Sequence, residues 1–255
     1  MPSGPSDGAA SGSADLQPGA AWLRRPARLG IPVVAALVDQ IVGGTLAPGS
    51  LLPTEPALAE AFGVSRTVIR EAGKLLQEKG LTHVRQGQGT TVAPSEEWNL
   101  LDPVVLEAMI RHDESMEILD DLVDVRVALE CDMVRAAAKR MTPEDHAALG
   151  QVLAELESQL ADPVRYQDTD TRYHDLILRC SRNRLGRSII RSIHPYARAS
   201  TRYNPLADVE DIRRSHVGHV AIHECLVRGD GDAAAAAMEE HIRGTWTLRK
   251  RKRGG

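Results

Sequence analysis

Asp170 and His174 are four residues apart, so on a helix both project from one face. They sit beside an apolar stripe, Tyr173, Leu176, Ile177 and Cys180, which turns that face toward a domain interior. Further along, His216, His219 and His223 fall on one helical stripe with Ile212 and Leu226, and His241 shares a stripe with Met238 and Thr245. Imidazoles and a carboxylate converging from different helices are borderline donors that suit a divalent ion such as Zn²⁺ or Ni²⁺. Taken singly, each of these histidines fits an ordinary core or surface position equally well. The convergence is what points to a metal.

A second set of residues is suited to phosphate. Arg66, Arg70 and Lys74 recur every four residues, opposite an apolar stripe of Val68, Ala72, Leu75 and Leu76. The elements around them are legible. Thr54 precedes a short helix with Pro56 in its first turn and Leu58, Ala59 and Phe62 inward. Gly63 breaks it, Ser65 caps a longer helix, and Gly80 ends that one. Leu81–Arg85 and Thr90–Ala93 are β-rich runs around Gln86-Gly87-Gln88-Gly89, which reads as a hairpin wing. Helix, glycine turn, basic helix and hairpin in this order predict a winged helix-turn-helix, with the second helix built to enter a DNA major groove. Pro94 onward reads as helices only.

Composition sets the frame. At 255 residues two domains are expected. Aromatics are 3% of a chain that is 42% hydrophobic, so the core must be largely aliphatic, which favours helix. Three isolated cysteines suit a reducing cytoplasm better than a disulfide framework. No apolar run approaches membrane-spanning length and no apolar leader is present, so a cytoplasmic protein is expected. The net charge of −4 is unevenly spread. Residues 30–93 balance five Lys/Arg against five Asp/Glu, while residues 94–248 carry 18 against 28. A neutral DNA-binding unit predicts weak monomer affinity and a need for dimerisation. The expected organisation is a disordered tail (1–29), the winged domain (30–93), a linker (94–105), an all-α domain (106–248) and a basic tail (249–255).

The stretch GGTLAPGSLLPTEPALAEAFGVSRTVIREAGKLLQEKGL, followed by RQGQGTTVAP, resembles the DNA-binding domain of GntR-family bacterial transcription regulators over about Val34 to Ala93. The resemblance implies that Ser65, Arg66, Thr67 and Arg70 contact groove and phosphates, and that Gln86 and Gly87 at the wing tip reach a neighbouring groove. Pro56 stands where many members carry arginine, so one such contact is missing. DLVDVRVALE, DTDTRYHDLILRCSRN and HVAIHECLVRGDGDAAAAAMEEHIRG resemble the FCD effector domain of the FadR-type branch, over roughly Leu106 to Thr247. That resemblance assigns Asp170, His174, His219 and His241 as metal ligands. Arg126 matches a family arginine that faces the metal's cavity, and Arg172 and Asn183 match family positions with either an effector-contact or a structural role; His223 has no place in the family pattern and is a candidate for effector contact only as a further histidine of the same stripe. The joint APSEEWNLLDPVVLE is similar to regulators of sugar-acid catabolism, which implies an aldonate or related hydroxy-carboxylate effector. The expectation is a homodimeric repressor on a palindromic double-stranded operator, released by a small carboxylate. Two alternatives stay open: a metal-dependent enzyme fused to a DNA-binding domain, and a regulator whose helical domain is metal-free.

Overall fold

The computed structural model describes residues 26–85, 87–199 and 209–251. It is mainly α-helical, with one small two-stranded sheet among the described residues. The N-terminal unit is built on α1 (Pro26–Val42), α2 (Glu55–Phe62) and α3 (Arg66–Glu78). Helix α1 begins inside the stretch expected to be an unstructured tail and carries Pro32 within it. Its Val34, Leu37, Val38 and Ile41 meet Val68, Ile69, Ala72 and Leu76 of α3 in one aliphatic core. The expected stripe on α3 is corrected at one place: Leu75 is exposed and Ile69 takes its place inside. Gly63 adopts φ +63, the left-handed turn that closes α2 and that glycine accepts without strain.

The wing is an antiparallel pair, β1 (Thr82–Arg85) and β2 (Gly89–Val92), with Arg85 opposite Gly89 at its tip. The segment before α2 joins its edge, since the Leu52 N–H donates to Thr90 O (2.8 Å) and the Val92 N–H to Ser50 O (2.9 Å).

The expected linker contains the start of a helix. Asp102 caps α4 (Pro103–His112) through the N–H groups of Val104 and Val105. Helix α4 belongs to both cores: Val105 and Ala108 pack with the winged unit, Leu106 and Ile110 with the helical domain. The boundary expected between 105 and 106 therefore cuts a helix. Among the described residues six helices follow: α5 (Glu117–Ala138), α6 (Pro143–Ser158), α7 (Pro163–Cys180), α8 (Arg184–Ala199), α9 (Val209–Val227) and α10 (Gly231–Arg251). Thr142 and Asp145 form a reciprocal capping box at the head of α6. Helices α5, α9 and α10 pack against one another, α7 lies against α5 and α9, and their buried residues form one core around Tyr173, Met133, Ile222 and Met238. No described helix is long and apolar enough to cross a membrane.

Candidate metal centre and DNA-facing helix

Helix α7 places Asp170 and His174 one turn apart, α9 brings His219, and α10 brings His241. One ligand atom from each of the four lies within 4.8 Å of the others. His174 Nε2 and His219 Nε2 are 3.3 Å apart, and Asp170 Oδ1 is 3.2 Å from His219 Nε2. All three imidazoles are buried and Asp170 is half-buried. Gly218 makes this convergence possible, because a Cβ there would lie 2.5 Å from His241 Nδ1.

The far nitrogens of two imidazoles are anchored. Glu130 Oε2 lies 3.0 Å from His174 Nδ1. Glu130 is almost fully buried, and its other oxygen accepts from Arg126 Nε at 2.7 Å. Burial alone would push the Glu130 carboxyl up, but Arg126 and His174 reverse that and hold it well below the usual carboxylate range. An ionised carboxylate only accepts, so it places a hydrogen on His174 Nδ1, which in the neutral imidazole leaves the Nε2 lone pair facing the cluster. Tyr166 Oη lies 3.1 Å from His219 Nδ1 and can accept in the same way. The Tyr173 hydroxyl donates to the His219 carbonyl (2.9 Å) and fixes that turn of α9.

Burial lowers the pKa of His219, against the pull of Asp170. His241 is held well below the ordinary imidazole value by burial, then by His219 and His174. Neutral imidazoles are the ligating form. The donor set, the shared focus and the anchored outer nitrogens all fit a divalent ion. Above the cluster opens a cavity of about 290 Å³, lined by Arg126, Tyr166, Asp170, His174, His194 and His241 among others.

Three residues expected at the effector site lie elsewhere. Arg172 points to the surface and pairs with Glu155 (3.0 Å), because two residues before His174 is about 200° around the helix. Asn183 caps α8 by accepting from the Gly186 N–H (2.9 Å), away from the cavity. His223 packs toward Gly150 of α6 instead of lining the cavity. Conversely, Glu130 and Tyr166 had not been assigned a site role. Their signals were present: Glu130 stands four residues after Arg126 within an apolar stripe, and Tyr166 four residues before Asp170.

On the winged unit, Ser65 Oγ accepts from the Val68 N–H (3.4 Å) and caps α3. Arg66, Thr67 and Arg70 are exposed on the side of α3 opposite its core. Arg70 Nε donates to Glu55 of α2 (2.8 Å), an exposed pair that a phosphate would have to displace. Gly87 lies at the wing tip with φ +76, and Gln86 lies outside the described residues.

A winged helix-turn-helix joined by a shared helix to an all-α cavity domain defines a ligand-responsive DNA-binding regulator of transcription. The chain belongs to the GntR family: the sequence pattern described as "Bacterial regulatory proteins, gntR family" matches residues 32–92, and the FCD domain matches residues 121–244. The galactonate operon transcriptional repressor of Escherichia coli is 32% identical over 80% of this chain and 90% of its own length. The Uxu operon transcriptional regulator of the same organism is 29% identical, covering 82% of each. A solved structure of Lar, which controls expression of the Listeria monocytogenes agr system, shares the fold with a TM-score of 0.58 at 20% identity, over 88% of this chain and 97% of that one. The galactonate and Uxu relatives are regulators of transcription, so the metalloenzyme alternative finds no support among them.

Proposed function

We propose that this protein is a cytosolic homodimeric repressor of sugar-acid catabolism, released from a palindromic operator by a small hydroxy-carboxylate bound at a metal site. The observation that carries the effector half is the focus of Asp170, His174, His219 and His241 on the wall of a cavity that also holds Arg126. A Zn²⁺ or Ni²⁺ ion held by the four would give the effector's carboxylate and hydroxyl a cationic anchor. Arg126 supplies a second cation on the cavity wall, and guanidinium–carboxylate pairing is strong where water is excluded. The operator half rests on the exposed Arg66, Thr67 and Arg70 of α3, with Gly87 at the wing. The repressor sign and the substrate class rest on the relatives that act on the galactonate and Uxu operons.

Two recognition helices of a dimer would read half-sites about one DNA turn, roughly 34–36 Å, apart. An effector relieves repression only by binding one arrangement of the winged units more tightly than the other.

The test is a thermal-shift screen of metal-analysed protein against aldonates, uronates and short hydroxy acids, with and without chelator, followed by operator release with each hit. A folded-state ligand raises the melting temperature by mass action. The reading expects a metal-dependent shift with an acid that also releases DNA, both lost in His174→Ala. Metal-loaded protein that answers none of these acids would overturn the effector class. Protein that binds an acid equally well after chelation would overturn the metal's role.

A further inference from the structure

The helical domain is acidic as a whole, yet residues 179–191 contain five arginines and no Asp or Glu. The turn between α7 and α8 gathers them. Arg179 lies in the last turn of α7, Arg182 sits in the turn that follows, and Arg184, Arg187 and Arg191 recur at helical spacing along one face of α8. Together with Asn183 and Ser188 they line a concave surface of about 620 Å³, separate from the metal cavity. Few carboxylates answer them. Asp175 takes Arg187 through two hydrogen bonds (2.8 and 2.7 Å), and Asp145 stands 3.7 Å from Arg179. Arg182, Arg184 and Arg191 are exposed. The hydrogen bonds from Arg187 lower the Asp175 pKa against burial, and the nearby charges of Arg191 and Arg179 act in the same direction.

We propose that this crescent is a second anion site, one that takes phosphate groups. Guanidinium groups match phosphate oxygens in pairs, and a local excess of several positive charges is answered better by a multiply charged group than by one carboxylate. Arg187 is pre-oriented by Asp175, so part of the cradle is rigid before the anion arrives. The phosphate can come from a free phosphorylated molecule or from the DNA backbone, and the two sources differ in what they predict.

The experiment uses the full-length, metal-loaded protein and the double variant Arg184→Gln/Arg191→Gln, with Arg182→Gln as an independent single change. All three positions are exposed, and far-UV circular dichroism checks that the fold is kept. Inorganic phosphate is titrated by ³¹P line broadening at constant ionic strength, and duplex DNA affinity is measured across a salt series. The site predicts saturable phosphate binding that weakens at least tenfold in the double variant. If the source is DNA, the slope of log affinity against log salt also falls by roughly 1.8, about 0.9 for each lost phosphate contact. An unchanged slope with lost phosphate binding assigns the site to a free phosphorylated molecule. A reduced slope without free-phosphate binding assigns it to the backbone. Phosphate binding that is absent or identical in wild type and variants, together with an unchanged salt slope, overturns the proposal.

Discussion

Glu130 is the residue whose replacement tests the architecture of the metal centre most sharply. It is buried between Arg126 Nε at 2.7 Å and His174 Nδ1 at 3.0 Å. Glu130→Gln keeps the volume and removes the charge. Arg126 then loses the Glu130 carboxylate it donates to, and removing one partner of a buried pair costs about 3–5 kcal/mol. For a chain of this size that corresponds to a fall in melting temperature of roughly 6–20 °C. The second consequence is on tautomers. A glutamine amide can donate to His174 Nδ1, which moves the imidazole hydrogen to Nε2 and removes the lone pair facing the cluster. Loss of such an outer partner lowers metal affinity about 10–100-fold. The two effects separate in a control, Arg126→Met/Glu130→Leu. It removes both charges of the pair together and should regain most of the stability, while metal affinity stays low. The assays are thermal unfolding by circular dichroism and Zn²⁺ competition against a chromogenic chelator. A stability loss below about 1 kcal/mol, the level of an exposed pair, with unchanged metal affinity would refute the buried Arg126–Glu130–His174 chain.

Other consequences follow from the same geometry. In chelator-treated protein the folded-state pKa values of His219 and His241 lie below the unfolded value of 6.5. As pH falls through that value the unfolded chain takes up protons first, so the melting temperature should drop as pH falls below about 6.5; a flat profile there would contradict the burial of neutral imidazoles. Gly218→Ala favours α9 by about 0.5–1 kcal/mol through helix propensity, but the added methyl displaces His241. The expected result is sharply weaker metal binding, and unchanged binding would place His241 outside the centre. Arg66→Ala should weaken operator binding and lower the salt slope by about 0.9, one phosphate contact, whereas an unaltered slope would remove Arg66 from the backbone contacts.

Helical spacing made the winged unit readable and went partway toward the metal centre. On α9 it placed His216, His219 and His223 on one stripe, but a stripe gives a face and not a height. These residues stand about 4.5 and 6 Å apart along the axis, and only the one level with Asp170, His174 and His241 can join them. His219 is that residue; His216 lies beside the Tyr166 ring edge and His223 against α6. The height is set by how α7, α9 and α10 pack, with Gly218 as the point of close approach. Arg172 was a different case: its distance from His174 around the helix already turned it away from the cavity. Leu75 gave a false core position because leucine at the edge of an apolar stripe says nothing about which side of the edge is covered.

Helix α4 was the least legible element because its polar face is narrow, little more than Glu107 and Arg111 paired one turn apart (2.9 Å). Val104, Val105, Leu106, Met109 and Ile110 are apolar nearly all round, since one side packs with the winged core and the other with the helical domain. The same feature bears on how an effector signal leaves the cavity. Within one chain, contacts run from α5, which carries Arg126 and Glu130, to α4, then α1, then α3. Helix α4 is tied to the winged unit at both ends. Lys79, at the end of α3, pairs with its cap Asp102 at 2.5 Å, and Asp39 of α1 takes Arg111 (2.7 Å) and His112 (2.9 Å) at the other end. The Lys79–Asp102 pair is largely shielded from water, so it holds α4 to α3 more firmly than an exposed pair would. These ties add to the packing of Val105 and Ala108 on the winged unit, while Leu106 and Ile110 keep α4 in the helical-domain core. If an effector shifts α5 or α8, α4 would therefore carry that shift to α1 and α3, because it packs in both cores.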